Sequence, residues 1–410
     1  MERETRAGAS ARFTFARGNA AKLLSAPLYA LGGLASLVVP RRGDRWVFGS
    51  GSGLGEGALP LALHVRATDP AARVLWLAAD ERERQAALAL GLPSALRSTW
   101  RGFRATLRAS VIVITHGFGD VNRFGTRGAF VVQLWHGIPL KKIQLDSPVT
   151  FTSSLAPAGL LRALYRRSAA AIDLLPAASE TSAARLRTAF GLPAGTVVVT
   201  GDPRDDAVLR PDGARDLLES ALGPLADSRV LLYAPTWRDG ASDPGVPTES
   251  DWAAIADYLE RSNSLLALRP HPHGVGDYER GTMVSPRIRM LPSTVIGDLN
   301  RVLPGVDVVI TDYSSVAYDF ALTARPIVFF APDVAEYAAT RGLYEPYEQF
   351  SGGHTVSNWG GVTRQLDDPA ALGALREHSS RLAQRHHAYR DGRNTERVYT
   401  EIAARLKGQE

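Results

Sequence analysis

The stretch VDVVITDYSSVAYDF, residues 306–320, contains the change of pattern that decides the fold. Its first five residues form a short β-branched apolar run, which is typical of a buried strand. A polar turn follows at residues 311–315, and residues 316–320 begin a helical pattern. A strand, a turn and a helix in this order indicate a βαβ unit of a parallel sheet.

Short apolar runs alternate in the same way with helical stretches rich in Ala, Leu and Arg in two separate parts of the chain. The alternation predicts an α/β protein in which two Rossmann-type parallel-sheet domains face a central cleft. We place these domains at residues 43–215 and 225–390, after an N-terminal segment at 1–42 and before a C-terminal helix at 391–410. The expected strands lie at residues 46–48, 74–77, 111–114, 130–134, 173–175 and 197–199, and then at 230–233, 265–268, 288–291, 306–310 and 326–330.

The composition narrows the classes of function. A chain of 410 residues with 45% hydrophobic and 22% charged residues is long enough for two globular domains. The absence of cysteine excludes disulfides, thiolate zinc sites and a cysteine nucleophile. A net charge of +5 favours anionic partners such as phosphorylated ligands or anionic lipid. Nucleic acid is the least favoured partner, because no basic stripe is interleaved with aromatic residues.

Residues 20–40 are the most apolar part of the chain and are flanked by arginine and lysine. The stretch is short for a membrane-spanning helix, and Pro27 and the pair Gly32 and Gly33 interrupt it. We expect a helix that lies on an anionic membrane surface, with a cleaved signal or a buried core helix as the alternatives. A second basic and apolar segment at residues 160–167 either extends this surface or forms a solvated amphipathic helix.

The candidate chemistry lies at the ends of the predicted strands, where open parallel sheets bind their ligands. His136 and Gly137 close the run at residues 130–134. Histidine can accept a proton near neutral pH, and glycine lets another group approach the backbone closely. A histidine satisfied within its own loop is the alternative, but the strand-end position favours a place in the cleft.

Arg269, Pro270 and His271 end a strand of the second domain. The proline stiffens this loop, and the arginine and histidine side chains are suited to a phosphate or diphosphate. A metal site made by His271 and His273 is less favoured, since no carboxylate pair lies nearby in the sequence. We therefore expect no bound metal.

Three further segments carry polar side chains suited to phosphate. The turn at residues 311–315 supplies Asp312, Ser314 and Ser315, whose hydroxyls could hold a phosphate or simply cap the next helix. Arg204 could reach a phosphate across the cleft or pair locally with an aspartate. The third segment supplies a hydroxyl, a ring that could pack on a base or at a domain interface, and a cation: Thr236, Trp237 and Arg238.

The other familiar nucleotide and hydrolase motifs are absent. The sequence contains no Walker A motif and no G-x-S-x-G elbow. The glycine-rich residues 49–55 follow a strand but lack a G-x-G-x-x-G register, so we interpret them as a flexible cleft loop that contacts acceptor or phosphate.

Taken together, the strand-end motifs resemble those of a known family. QLWHGIPLKK, GDPRDD, YAPTWRD, LRPHPH, TDYSSVAYDF, RPIVFF and RGLY occur in that order. The set closely resembles the CDP-glycerol glycerophosphotransferases of teichoic-acid synthesis, of the transferase or primase type. The resemblance covers roughly residues 45–390, and the length of the chain is similar to that of members that add one unit.

The resemblance implies a GT-B-like fold, an acceptor domain at 43–215 and a CDP-donor domain at 225–390. It also implies a CDP-alditol donor, a lipid-linked or other membrane acceptor, no obligatory cofactor and a peripheral place on the cytoplasmic face of the membrane. His136 corresponds to the family's base, and His271 to the histidine that stabilises the diphosphate. Gly137, Lys141 and Lys142 fall on the acceptor side. The donor side comprises Arg204, Thr236, Trp237, Arg238, Arg269, Pro270, Asp312, Ser314 and Ser315.

Two departures from the family pattern bear on the donor. Asp205 stands where the family usually has asparagine, and the segment at residues 351–354 lacks the family's proline. A nucleotide-sugar glycosyltransferase on the same fold, or a non-catalytic protein that binds the membrane surface, are the alternative functions.

Overall fold

The computed structural model of the chain describes residues 25–151, 156–238, 241–271 and 274–408. The first domain contains five parallel strands in the spatial order β3-β2-β1-β4-β5. They are β1 (Arg42–Phe48), β2 (Arg73–Ala78), β3 (Ser94–Leu96), β4 (Ala109–Ile114) and β5 (Phe130–Gln133). A parallel pair, β6 (Leu175–Ala177) and β7 (Val197–Val199), joins β5 through a bridge between Val132 and Leu174.

The second domain contains six parallel strands in the order β10-β9-β8-β11-β12-β13. This is the Rossmann order, in which the chain turns back at the centre of the sheet. The strands are β8 (Arg229–Ala234), β9 (Ser264–Leu268), β10 (Ile288–Met290), β11 (Val308–Thr311), β12 (Ile327–Phe330) and β13 (Thr355–Val356). The two-sheet, GT-B-like fold expected from the sequence is therefore confirmed.

Helices cover both sheets because the strands are apolar on both faces. Those up to the end of the first domain are α1 (Ala26–Val38), α2 (Ala58–Thr68), α3 (Glu81–Ala89), α4 (Trp100–Arg108), α5 (Ala158–Ala169), α6 (Glu180–Phe190), α7 (Asp206–Leu209) and α8 (Ala214–Leu222). The later ones are α9 (Glu249–Arg261), α10 (Glu279–Val284), α11 (Val316–Ala321), α12 (Val334–Arg341), α13 (Tyr347–Ser351), α14 (Trp359–Asp367), α15 (Pro369–His386) and α16 (Asn394–Lys407).

The last helix returns to the first domain. Val398 and Ile402 of α16 are fully buried among side chains of α2 and of the first sheet. The carboxylate of Asp206 accepts hydrogen bonds from the backbone N–H groups of Asn394 and Thr395, both at 2.9 Å, and so fixes where α16 begins. The chain thereby ties its end to the first domain after it has completed the second.

Two predicted elements differ from the structure. Residues 173–175 were expected to form a strand, but β6 begins at Leu175. The Asp173 carboxylate instead accepts a hydrogen bond from the backbone N–H of Val131 at 2.7 Å, so a side chain takes the donor that a strand carbonyl would otherwise pair with. Residues 369–406, whose Arg-rich sequence predicts one helical stretch, form two helices, α15 and α16, with an irregular connection between them.

Helix α1 lies on the outer surface of the first domain. The ring of Tyr29 packs edge-on against Phe124, and Gly32 approaches the backbone of Phe124 so closely that a Cβ would clash with its carbonyl. Leu31, Leu34 and Leu37 are each more than 60% exposed. Among the described helices, none has both the length and the hydropathy needed to cross a membrane. Residues 1–24 of the predicted N-terminal segment lie outside the described residues.

Candidate active site

Three loops from the two domains meet at Gly137. This glycine has φ of 107°, and a Cβ at this position would lie 3.1 Å from Nη1 of Arg204 and 3.3 Å from Oγ of Ser315. A side chain at this position would therefore crowd both groups. The loop after β5, the turn that carries Arg204 and the turn after β11 thus come together at the carboxyl ends of the strands, as the sequence predicted.

The loop after β5 also pairs with the second domain through its backbone. The N–H of Lys142 donates to the carbonyl of Gly342 at 3.0 Å, and the N–H of Tyr344 donates to the carbonyl of Leu140 at 2.9 Å. Lys141 is half-buried in this pairing, whereas Lys142 is exposed. The loop after β5 therefore contacts both domains, and its position depends on how the two domains are arranged.

His136 is partly buried at the start of this loop. Its ring stacks on the ring of His116, with centroids 4.2 Å apart and an angle of 16° between the planes. Burial, and then the charges of His116 and Arg204, hold the pKa of His136 well below the usual histidine value. A histidine with a low pKa is neutral at physiological pH and can accept a proton. The sequence reasoning did not select His116, although it follows the run at 111–114 as His136 follows β5.

The turn after β11 is built around the carboxylate of Asp312. Its Oδ1 accepts hydrogen bonds from the N–H of Thr236 at 2.8 Å and of Tyr313 at 2.6 Å. Its Oδ2 pairs with Nη1 of Arg238 at 3.0 Å. The predicted role of Asp312 at the donor site is therefore indirect, since it joins the ends of β8 and β11 into one wall.

Arg238 supports the same turn and differs from its predicted role in phosphate binding. Its Nε and Nη2 bind the two oxygens of Asp333 at 2.7 and 2.9 Å, and its guanidinium lies against the rings of Tyr313 and Tyr337. Burial lowers the pKa of Arg238, but Asp333 and Asp312 outweigh it and raise the pKa above the usual value. We therefore interpret Arg238 as a structural cation beneath the site.

Arg204 forms buried ion pairs with a carboxylate from each domain. Its Nη1 lies 2.9 Å from Glu56 and its Nη2 lies 2.8 Å from Asp319, while Asn300 accepts a further hydrogen bond at 3.1 Å. Burial lowers the pKa of Arg204, yet Asp319 and Glu56 raise it above its usual value. The sequence offered two roles for Arg204, a local pair with an aspartate or a cation that faces the cleft. In the structure its ion pairs connect the two domains instead.

The glycine-rich loop at residues 49–55 leads to the ion pairs of Arg204 with Glu56 and Asp319, the contact between the domains that we call the seam. The N–H of Glu56 donates to Oδ2 of Asp298 in the second domain at 3.0 Å, and Gly55 leaves no room for a Cβ beside Asp298. The loop predicted to be flexible is therefore held across the cleft by the half-buried carboxylate of Asp298.

Arg269 is surrounded differently. Its Nη1 and Nη2 donate to the carbonyl oxygens of Leu291 at 3.2 Å and Gly297 at 3.4 Å, and no described carboxylate is within ion-pair distance of it. Burial lowers the pKa of Arg269 to about 10, and the more distant Asp298 and Glu56 only partly oppose this. A half-buried cation with no carboxylate partner among the described residues is suited to an anionic ligand.

The remaining predicted residues line the same wall. The rings of Trp237 and His271 are 5.6 Å apart and nearly parallel, and the guanidinium of Arg341 lies 5.4 Å from the Trp237 ring. The buried Oγ1 of Thr236 has no hydrogen-bond partner in the part of the chain that the structure describes. Ser314 accepts a hydrogen bond from the N–H of Val316 at 3.3 Å, which supports the capping role, and Pro270 is half-buried beside Arg269.

A metal site is not present among the described residues, in which no group of three or more His, Cys, Asp or Glu side chains is arranged to hold an ion. His273, the second histidine of the weaker metal hypothesis, lies outside the described residues.

Comparison with solved structures identifies the fold. The structure of the wall teichoic acid polymerase TagF matches with a TM-score of 0.77 at 20% identity, covering 95% of this chain and 97% of that one. A putative UDP-N-acetylglucosamine 2-epimerase from Listeria monocytogenes matches with a TM-score of 0.56 at 16% identity, covering 90% and 98%. Two Rossmann-type sheets around a polar cleft thus define a protein of the GT-B-like class.

Sequence comparison identifies the family. Residues 34–404 match the family model described as CDP-Glycerol:Poly(glycerophosphate) glycerophosphotransferase, and the chain belongs to this family, which confirms the resemblance. It is 29% identical over 283 residues to the teichoic acid ribitol-phosphate polymerase TarL of Staphylococcus aureus (strain NCTC 8325 / PS 47), covering 66% of this chain and 47% of that protein. It is 27% identical over 306 residues to the teichoic acid glycerol-phosphate transferase of the same organism, covering 68% and 72%.

The chain is shorter than several of these relatives. It spans 47% of TarL and 52% of the teichoic acid ribitol-phosphate polymerase TarK of the same organism, about half the length of these two polymerases.

Proposed function

We propose that this protein transfers glycerol phosphate, or a related alditol phosphate, from a CDP-activated donor to the hydroxyl of a membrane-bound acceptor and releases CMP. The observation that carries the proposal is the meeting at Gly137 of the His136 loop with the Ser315 turn. Family membership and the names of the relatives, which are teichoic acid polymerases, primases and transferases, support the same reaction.

The low pKa of His136 supports its role as the general base. The acceptor oxygen attacks the β-phosphorus of the donor while His136 removes the acceptor proton. A bond forms between the acceptor oxygen and phosphorus, the phosphoanhydride bond to the α-phosphate breaks, and CMP leaves with the bonding electron pair. The acceptor therefore enters from the side of Gly137, Lys141 and Lys142.

The donor diphosphate lies against the wall of the second domain. Arg269 supplies a cation without a carboxylate partner among the described residues, and His271 and the hydroxyls of Thr236, Ser314 and Ser315 supply further donors. Stabilising the charge on the phosphoryl oxygens is the main catalytic task in such a transfer. We expect these groups to perform it without an obligatory metal or cofactor.

The outer surface of the first domain suits an anionic membrane. Besides the exposed leucines of α1, Trp100 at the start of α4 is 73% exposed. Arg41, next to β1, bonds to the carbonyl of Thr106 in α4, which puts the end of α1 beside that helix. Arg108 has its pKa lowered by burial and by its neighbours Arg104, Arg42 and Arg45, so cations cluster there. Apolar side chains beside clustered arginines are typical of a membrane-surface segment.

The proposed reaction uses a nucleotide-activated donor, which is available in the cytoplasm. This supports a peripheral location on the cytoplasmic face of the membrane. Helix α5 carries exposed Leu160 and Leu164 and would extend this surface, as its basic and apolar sequence predicts.

Donor-dependent CMP release tests the reaction. The full chain is incubated with a lipid-linked acceptor and, in separate assays, CDP-glycerol, CDP-ribitol, a UDP-sugar and a GDP-sugar, each with and without EDTA. We expect CMP from a CDP-alditol, and equal rates with the chelator. Release of UDP or GDP instead would identify a glycosyltransferase, and turnover with none of the donors would leave only the binding-protein alternative.

Co-sedimentation with vesicles tests the membrane surface. The double variant Leu31→Asp, Leu34→Asp should lose most of the binding that the wild type shows to vesicles with anionic lipid. Met283→Asp is the matched control, because Met283 is 79% exposed on α10 of the second domain. Equal binding by all three proteins would contradict the proposed surface.

A further inference from the structure

His116 lies where β4 ends, at the centre of the first sheet and next to the glycine-rich loop. Its ring faces the ring of His136 at 4.2 Å and nearly parallel, although 20 residues separate the two in sequence. Neither the strand-end motifs nor the family resemblance assigned it a role. The His116 side chain is exposed, but its loop and its ring are both held in place by neighbouring groups.

The loop that carries His116 is fixed by one buried carboxylate. Oδ2 of Asp120 accepts hydrogen bonds from the backbone N–H groups of Thr115 at 2.9 Å, His116 at 2.7 Å and Gly117 at 3.2 Å. Three donors on one oxygen make a rigid turn of the kind that holds an anion. Here the anion is the carboxylate of Asp120 itself, so the hydrogen bonds fix the backbone of the loop that carries His116.

The ring itself is held from two sides. Nδ1 of His116 lies 2.9 Å from Oγ1 of Thr115, and this buried hydroxyl donates to Oγ of Ser50 at 2.9 Å. Gly51 of the glycine-rich loop approaches the imidazole so closely that a Cβ there would lie 2.6 Å from its Cγ. The ring of His116 therefore has little freedom to turn away from His136.

We propose that His116 is a positioning residue of the transfer site, which fixes the ring of His136 by stacking and keeps water from the face that it covers. This inference rests on the proposed function of His136 as the base. Stacked rings restrict both the rotamer and the solvation of the base, and small errors in the placement of a reacting group lower the rate steeply.

The charges around His136 give the proposal a second signature. The groups that influence it are His116 from the loop after β4, Arg204 from the turn after β7 and Lys141 from its own loop. Burial is the largest cause of the lowered pKa of His136, and His116 is the second. Removing the ionisable ring of His116 should therefore raise the pKa of His136 and move the acidic limb of the rate profile to higher pH.

Two variants separate stacking from charge. His116→Phe keeps a flat ring but removes the charge, whereas His116→Ala removes both. We expect His116→Phe to keep kcat at pH 8.5 within about threefold of the wild type, with the acidic limb of its kcat profile moved to higher pH. His116→Ala should lose about 10-fold or more in kcat at every pH, with the KM for the CDP donor nearly unchanged.

Matched measurements separate this inference from the proposed function. His64→Phe is the control, because His64 lies in α2 of the same domain, against Tyr399 and away from the cleft. NMR titration of the His136 ring, assigned by its absence in His136→Gln, follows the pKa without any need for turnover. A raised His136 pKa in both His116 variants supports the inference, even in a protein that releases no CMP. An unchanged titration and an unchanged rate profile in both variants would overturn it while leaving the transfer reaction intact.

Discussion

The seam between the domains and the wall of the second domain each contain an arginine that is at least half-buried, but the surroundings of the two arginines differ. At the seam, Arg204 lies between Glu56 and Asp319 at 2.9 and 2.8 Å. On the wall, the partners of the Arg269 guanidinium among the described residues are two carbonyl oxygens at 3.2 and 3.4 Å. An arginine neutralised by carboxylates holds parts of the protein together, whereas one without such partners is suited to an anionic ligand. Residue type and motif alone therefore do not distinguish an arginine that joins the domains from one that we propose binds the donor.

The largest expected effect concerns the base beside the seam. His136→Ala should reduce kcat by about 10² to 10⁴-fold, because proton removal by a positioned side chain contributes that much to such reactions. The free energy of unfolding should change little by comparison, since the ring is only partly buried. CMP release and urea denaturation measure the two quantities. A variant with near-normal turnover would remove His136 from the mechanism.

The next effect tests the seam itself. Arg204→Met leaves Glu56 and Asp319 buried without their shared cation, which should lower the free energy of unfolding by about 3–5 kcal/mol. Arg393→Met is the control, because Arg393 pairs with Glu396 on the surface and such pairs contribute about 1 kcal/mol or less. Urea denaturation of both variants measures the difference. If Arg204→Met is as stable as the control but has a raised donor KM, Arg204 is the phosphate ligand that its motif predicted.

These tests also mark what the sequence could predict. The alternation of strands and helices predicted both sheets, because burial on two faces makes each strand apolar. It also brought His136, Arg204 and Ser315 to one cleft, because strand ends share an edge of the sheet. Strand ends alone do not reveal the partners of a side chain. Arg204 and Glu56 are 148 residues apart, and only the folded arrangement of the two domains shows that they pair.

Two residues, His116 and Arg238, were missed or misassigned from the sequence for the same reason: their partners lie far away in the chain. His116 carried one signal, its place directly after the apolar run at 111–114, but no motif pointed to it. Its importance arises from the stack with His136, a contact between two different strand ends. Arg238 was assigned to phosphate because of its type, whereas Asp333, 95 residues later, occupies its guanidinium.

On the wall, a smaller effect is expected for donor binding. Arg269→Met should raise the KM for the CDP donor by about 10 to 100-fold, the range expected from losing one or two hydrogen bonds to a charged group. The free energy of unfolding should fall by no more than about 1 kcal/mol, because the bonds lost among the described residues are two long ones to carbonyl oxygens. Steady-state kinetics with varied donor concentration measure the first quantity. A large loss of stability without a change in KM would place Arg269 with Arg204 as a structural cation.

The smallest effect is a pH dependence of the seam. Burial, reinforced by Asp205 and opposed by Arg204, raises the pKa of Asp319 to about 7, above the usual value of 3.8. Between these values the folded protein binds a proton that the unfolded chain has released, so this carboxyl destabilises the fold progressively as the pH rises from about 4 to 7. Asp319→Asn cannot ionise, and it leaves the pair between Arg204 and Glu56 in place. From pH 5 to pH 6.5 the wild type should therefore lose about 1–2 kcal/mol more stability than this variant. Asp257→Asn, which removes an exposed carboxylate of α9, is the control and should show the same pH dependence of stability as the wild type. If the stability of all three proteins changed with pH in parallel, Asp319 would be ionised throughout and Arg204 would offset its burial completely.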